Sequence, residues 1–422
     1  MMNTGELAKQ AKEASIQLAS IDAEVKNMAL SNIAAALENN KKEILKANQK
    51  DIDNAAGIGK ALLKRLKLDQ VKLDEVVAGV KSVSRLEDPV GKTLFSIELD
   101  KGLELQKVTC PIGVIGVIFE SRPDALVQIS SLCLKSGNAV ILKGGSEAKN
   151  SNEALYKIIK KESEKLLPKG WIQLIETRED VRGLLKLGDF VDLIVPRGSN
   201  KFVGYIQDNT SIPVLGHSDG ICHVYVDKDA DMQKALDIAY DAKCQYPAVC
   251  NAMETLLVHR SAAKEFLPKL RQRMAGVELR GDKETNRIIN IKPASEEDWK
   301  TEYNNLTLSI KIVNGIGEAI KHINTYGSSH TDAIVTESKQ AADRFMDLVD
   351  SSSVMHNCST RFADGYRYGL GAEVGISTSK LHARGPVGLE GLVIHKWKLR
   401  GNGHVVADYT GEKAKSFTYR PH

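Results

Sequence analysis

Residues 111–152 read PIGVIGVIFESRPDALVQISSLCLKSGNAVILKGGSEAKNSN. The run IGVIGVIF (112–119) is apolar without polar alternation, as expected of a strand buried on both faces. DALVQISSLCLKSG (124–137) then has the pattern of a helix, with Pro123 suited to its first turn and Gly137 placed to end it. NAVILKGG (138–145) reads as a second buried strand. Working outward, the same alternation continues as a helix over 150–167, the strand WIQLIE, a short helix and the strand DLIV, before the turn PRGS opens the helix NKFVGYIQD. Strands alternating with helices predict a parallel sheet covered on both faces. Glycines and small residues fall where strands give way to helices, which is where such sheets bind ligands.

A second αβ run begins at CHVYVDKDADMQKALDIAYDAK and continues through ETLLVHRSAAKEFLPKL and TDAIVTESKQAADRFMDL. Ahead of both runs, residues 4–50 place Leu7, Ala11, Ala14, Leu18, Ile33, Leu37 and Ile44 at helical spacing, which predicts two or three amphipathic helices. TLFSIELDKGLELQKVTC (93–110) alternates around Asp100-Lys101-Gly102 as a hairpin does, and the tail after Gly365 is glycine-rich and then strand-like. The plan is two α/β domains plus a small β element built from residues near 93–110 and the tail.

The bulk composition narrows the function. At 422 residues the chain exceeds what one core usually supports. A net charge of +4, with 58 basic residues interleaved among 54 acidic ones, gives no warrant for a nucleic-acid partner. The N-terminus lacks an apolar signal region, and the longest apolar run, CPIGVIGVIF, is too short for a membrane span, so a cytoplasmic protein is expected. Six cysteines form no C-x-x-C pair and no Cys/His cluster at zinc spacing, so no metal site is expected and free thiols are.

Several residues invite a chemical reading beside a bland one. Cys250, in YPAVCNAMETLLVH (246–259), sits between a proline-containing turn and a buried strand, and is open to reading as core filler, metal ligand or nucleophile. Gly198-Ser199 opens a helix whose N-terminus favours phosphate. Lys143 precedes Gly144-Gly145 at a strand end, as a ligand cation or a solvated loop lysine. Arg122 either receives an anion or pairs with Glu120 or Asp124. The segment 359–392 gathers Arg361, Arg367, Lys380, His382 and Arg384 in a glycine-rich stretch unsuited to a core, which suggests an anion-binding loop.

The strings PIGVIGVIFESRPDA, SLCLKSGNAVILKGGSEAKNSN, VPRGSN, IPVLGHSDGICHVYVDKDAD, YPAVCNAMETLLVH, YGSSHTDAIVTE and STRFADGYRYGLGAEVGISTSKLHARGPVGLEGL together resemble the glutamate-5-semialdehyde dehydrogenase (gamma-glutamyl phosphate reductase) family. That family is a branch of the aldehyde dehydrogenase superfamily, and the resemblance runs from the N-terminal helices to about residue 408. It implies an aldehyde dehydrogenase-like fold of two Rossmann-type α/β domains plus a small β oligomerisation flap. The implied boundaries are 1–92 with 111–220 for an NADPH-binding domain, 221–395 for a catalytic domain, and 93–110 with 396–422 for the flap.

The resemblance also implies an activity: NADPH-dependent reduction of L-glutamyl 5-phosphate to L-glutamate 5-semialdehyde and phosphate, in proline biosynthesis. Cys250 would be the nucleophile that carries a thioester. Ser121 occupies the position of the superfamily's oxyanion-hole Asn, and His217 that of the Glu with which hydrolytic members activate water. Lys143, Gly144, Ser146, Gly198 and Ser199 fall on cofactor positions, with Ser146 where NAD-preferring members often carry Glu. Arg122, Arg361 and Arg384 are the expected substrate-anion cations. A separate glutamate 5-kinase would supply the substrate, and a homo-oligomer (dimer or tetramer) is implied. The alternative enzyme is a CoA-acylating aldehyde dehydrogenase, which would not need the cation-rich loop.

Overall fold

The computed structural model describes residues 3–55, 57, 59–217, 219–371 and 373–421. The chain divides into two compact units. The first comprises Met1–Gly198, Gly204–Leu215 and Val387–His422; the second comprises Ser199–Val203 and Gly216–Pro386.

In the first unit, four parallel strands lie in the order Ile172–Leu174, Ala139–Lys143, Val114–Phe119, Leu193–Arg197. Val114–Phe119 is a central strand with all six residues buried, which is why its sequence shows no alternation. The chain steps outward from it through two strands, then returns to its other flank at Leu193–Arg197. That reversal leaves a crevice at the carboxyl ends of Phe119 and Arg197, the usual ligand position in open α/β sheets. The helix Pro123–Lys135 follows the central strand, and Gly137 closes it at φ +73°, a conformation that a side chain would strain.

Helices Thr4–Leu18, Ala23–Asn39, Lys41–Asn54 and Gln70–Arg85 build the N-terminal layer. The buried stripe of the first is Ala8, Ala11, Ala14 and Leu18, so Ala8 takes the core position expected of Leu7. This unit also buries two lysines. Lys26 and Lys135 are each 1% exposed. Lys26 pairs with Asp88 at 2.5 Å, and Lys135 donates to Asn27 Oδ1 and the Ser84 carbonyl at 2.6 and 3.2 Å.

An antiparallel sheet completes the first unit, in the order Val393–Arg400, Leu103–Pro111, Thr93–Asp100, Arg420–Pro421. The hairpin turns at Lys101-Gly102 as the sequence indicates. The tail strand starts at Val393, three residues ahead of the expected boundary at 396, and pairs along Leu103–Pro111. Residues 387–395 therefore group with the first unit, where Val393, Ile394 and His395 find their strand partners in Pro111, Cys110 and Thr109.

The second unit holds seven parallel strands in the order Lys292–Pro293, Glu278–Gly281, Thr307–Val313, Met253–His259, Cys222–Val226, Thr331–Val335, Ser353–His356. Alternate residues build cores on opposite faces. Val224, Val226, Leu256 and Val258 pack with the helices Met232–Cys244 and Arg260–Arg273; Tyr225, Leu257 and Ile334 pack with Ile316–Tyr326 and Lys339–Leu348. Among the described residues, no helix is long and apolar enough to cross a membrane.

Asp88→Ala leaves the buried Lys26 ammonium without its counter-charge. Urea unfolding is expected to show a loss of about 3–5 kcal/mol; a loss below about 1 kcal/mol would mean that Lys26 swings out to water.

Candidate active site

Cys250 lies in the connection between the helix Met232–Cys244 and the strand Met253–His259. That strand, Cys222–Val226 and Thr331–Val335 are adjacent in the second unit's sheet. Cys250, Gly220 and His330 each stand just before one of the three. The candidate site thus forms at the amino edge of this sheet, opposite to the edge where ligands are commonly found.

The turn that carries the thiol is fixed from several sides. A Cβ on Gly220 would come within 2.3 Å of the Cys250 carbonyl oxygen and 2.4 Å of its Cα, so only glycine fits there. The Cys222 thiol donates to the Cys250 carbonyl at 3.1 Å. Thr360 donates its hydroxyl to the Asn251 carbonyl at 2.7 Å, and the Asn251 amide donates to the Ala363 carbonyl at 2.8 Å. Lys243 and Glu254, both wholly buried, pair at 2.5 Å across the two ends of the connection. Burial disfavours both charges, pushing Glu254 up to about 7 and Lys243 down. Cys250 itself remains partly exposed. Its backbone is held in a residue that is not wholly buried.

Two imidazoles face this thiol. His217, Cys250 and His330 each offer one ligand-type atom, and these atoms lie within 4.8 Å of one another. The rings of His217 and His330 meet edge to face with centroids 4.7 Å apart. His217 Nδ1 stands 2.9 Å from the Ile376 carbonyl. A carbonyl only accepts, so Nδ1 carries a proton, and in the neutral ring Nε2 is then the nitrogen with the lone pair. His330 is fully buried; its Nδ1 lies 2.9 Å from the Thr331 hydroxyl, and its Nε2 has no partner. Arg361 is 8% exposed and donates from Nε to Gln245 at 3.0 Å. Burial lowers the pKa of its guanidinium, as does Arg367, while Asp241 and Cys250 act in the opposite direction.

Within the first unit, Lys143 ends the strand Ala139–Lys143 and is followed by Gly144-Gly145. The Lys143 ammonium makes no hydrogen bond or ion pair among the described residues, and burial lowers its pKa against the pull of Glu147. A Cβ on Gly144 would lie 2.0 Å from the Asn152 amide nitrogen, and Asn152 Oδ1 is buried without a partner. Ser121 adopts φ +43° and is 3% exposed. Its N–H and hydroxyl both donate to one carboxylate oxygen of Glu147, at 2.7 and 2.6 Å. Burial raises the Glu147 carboxyl's pKa, but the Ser121 donors and Lys143 outweigh it and hold the group below its usual range.

The sequence profile described as "Aldehyde dehydrogenase family" matches residues 2–297. A gamma-glutamyl phosphate reductase of Pelotomaculum thermopropionicum is 61% identical, covering 99% of this chain and 98% of that one. One from Acetivibrio thermocellus is 59% identical at the same coverages. The crystal structure of gamma-glutamyl phosphate reductase from Thermotoga maritima superposes with a TM-score of 0.94 at 40% identity, covering 96% of this chain and all of that one. The chain belongs to the aldehyde dehydrogenase family, in its gamma-glutamyl phosphate reductase branch.

The family's residue types are present, and several of them already have protein partners. Ser121 gives its single hydroxyl proton to Glu147 and so has none to offer an oxyanion. Arg122 pairs with Asp124 at 2.9 Å. Arg384 donates to the Asp350 carboxylate at 2.9 Å, and Lys380 meets the same carboxylate at 2.5 Å. Much of the cation-rich segment is thus neutralised internally, and Arg361 is its buried guanidinium. Gly198 falls at the end of the first unit and Ser199 at the start of a second-unit segment.

Sequence reading missed His330, Gly220, Cys222 and the Lys243–Glu254 pair. It also missed the Cys/His cluster, whose members are separated by 33 and 80 positions, far from any zinc spacing. The small residue just before a strand, as at Gly220, was the available signal; strand order was needed to use it. Glu254→Ala leaves Lys243 buried and unpaired and is expected to lower unfolding stability by about 3–5 kcal/mol, whereas Lys243→Met with Glu254→Leu should recover most of that in denaturant titration.

Proposed function

We propose that the chain reduces L-glutamyl 5-phosphate to L-glutamate 5-semialdehyde and phosphate with NADPH, as a step of proline biosynthesis. The observation that carries this reading is the partly exposed Cys250 on a backbone-locked turn beside His217 and His330. Support also comes from the relatives' shared name over nearly the whole chain.

A carboxylate is a poor hydride acceptor, whereas an acyl phosphate carries a good leaving group. The Cys250 thiol passes its proton to an unprotonated imidazole nitrogen, and His217 Nε2 is the one freed by the carbonyl at Nδ1. The thiolate attacks the acyl carbon, phosphate leaves, and a thioester forms on Cys250. NADPH, when bound, supplies the hydride. The Cys250 backbone N–H is the donor we assign to the developing oxyanion, since the Ser121 hydroxyl is engaged. Thiolate release completes the cycle. With His217 where hydrolytic relatives have Glu, the thioester lacks a carboxylate to activate water against it.

The first unit's residues fit the dinucleotide. Gly144 keeps the backbone clear, Asn152 Oδ1 is a buried acceptor that meets no donor among the described residues, and Lys143 is a cation at the strand end whose ammonium makes no ion pair among them. We assign Lys143, Gly144, Ser146 and Gly198 to hold it. Glu147 lies next to Ser146, and Ser121 fixes the direction of its carboxylate by donating twice to one oxygen. For substrate anions we assign Arg361. Recruiting Arg122 or Arg384 requires a substrate oxygen to replace Asp124 or Asp350.

The test is NADP⁺ reduction with glutamate 5-semialdehyde and inorganic phosphate. Cys250→Ser is expected to lose at least about a thousandfold in rate. Activity that requires coenzyme A in place of phosphate would overturn the proposal in favour of the acylating alternative.

We further infer a homo-oligomer joined through the antiparallel sheet. Phe95, Ile97, Leu105, Trp397 and Leu399 share one face by register, and Phe95, Trp397 and Leu399 are 45%, 55% and 57% exposed. Trp397→Glu is expected to shift the sedimenting species toward monomer; an unchanged sedimentation coefficient would place the interface elsewhere.

A further inference from the structure

We propose that His217, Cys250 and His330 form a binding site for a thiophilic divalent cation, Zn²⁺ above all, which reversibly takes the reactive thiol out of use. The three ligand-type atoms lie within 4.8 Å of one another, drawn from separate strand edges. Tetrahedral zinc, with bonds of about 2.3 Å to sulfur and about 2.0–2.1 Å to nitrogen, sets such atoms roughly 3.3–3.7 Å apart. Closing the remaining gap takes rotations of Cys250 and His217, both of which are partly exposed.

The imidazoles are prepared for this role in different ways. His217 has Nδ1 directed at the Ile376 carbonyl at 2.9 Å, the outer contact that fixes tautomer and ring orientation in metal-bound histidines. His330 is fully buried, its Nδ1 lies beside the Thr331 hydroxyl at 2.9 Å and the Cys222 sulfur at 3.8 Å, and its Nε2 has no partner. With the His330 proton on Nδ1, its Nε2 presents a buried lone pair that meets no donor among the described residues, an unmet demand that a metal ion satisfies. One sulfur and two nitrogens, with no carboxylate in the set, favour zinc over magnesium or calcium. Three protein ligands leave the fourth position to water.

Binding forms a sulfur–zinc bond and releases the thiol proton to solvent, with no change of oxidation state. The thiolate is then unable to attack an acyl group, and a chelator restores it.

The test uses metal-free, thiol-reduced protein without substrate or dinucleotide. Cobalt(II) is expected to bind at one equivalent with a thiolate-to-cobalt charge-transfer band, and Zn²⁺ to displace it. The band should vanish in Cys250→Ser, and affinity should fall at least about tenfold in His330→Gln and in His217→Gln. A band that survives Cys250→Ser, or affinities unchanged in both histidine variants, overturns the proposal. Should the His330 variant fail to fold, peptide mapping of the wild-type chain decides: Zn²⁺ is expected to slow iodoacetamide labelling of Cys250 and not of Cys358, and equal rates at Cys250 with and without zinc overturn it. These readouts need no turnover, so the ion site and the proposed reduction stand or fall separately.

Discussion

The contact between Gly220 and the backbone of Cys250 leaves no room for even one methyl group. Gly220 precedes the strand Cys222–Val226, and Cys250 precedes its neighbour Met253–His259, so the contact fixes how the two chains enter the sheet side by side. The Cys222 thiol then reaches the Cys250 carbonyl, and the Thr360–Ala363 turn takes up the backbone carbonyl and side-chain N–H of Asn251. Any displacement of this turn moves the sulfur relative to His217 and His330. Reactions that depend on approach geometry lose rate steeply with shifts of about 1 Å.

Charge buried in the second unit serves the same end. Lys243 and Glu254 brace the connection that bears Cys250, and the Asp332 carboxylate, wholly buried in the middle of the sheet, accepts from the His223 backbone N–H at 2.7 Å. Such pairs cost desolvation and contribute little net stability, but they tolerate only a narrow geometry. Nearby His322 is pushed down to about 2 by burial and by His223, so it remains neutral within this core. In the first unit, Ser121 and Glu147 form a comparable lock, with a left-handed serine holding two donors on one carboxylate oxygen.

Much of this architecture was legible in the chain. The unalternating run at Val114–Phe119 announced a central parallel strand, Pro123 and Gly137 bracketed a helix, and the Asp100-Lys101-Gly102 turn gave the hairpin. The thiol at Cys250 stood out by its place before a buried strand. Less accessible were the roles of charged residues, because a local string does not say where a long side chain finds its partner. Arg384 meets Asp350, 34 positions away, and Ser121 meets Glu147, 26 positions away.

By itself, then, the sequence determined the succession of strands and helices and the residue type placed at each joint, because hydrophobic period and turn chemistry are local properties. Tertiary structure alone decided which joints meet. Strand order set Cys222–Val226 between Met253–His259 and Thr331–Val335, and so brought Gly220, Cys250 and His330 to one edge. That order follows from burying apolar faces over long separations, and no local window of residues contains it.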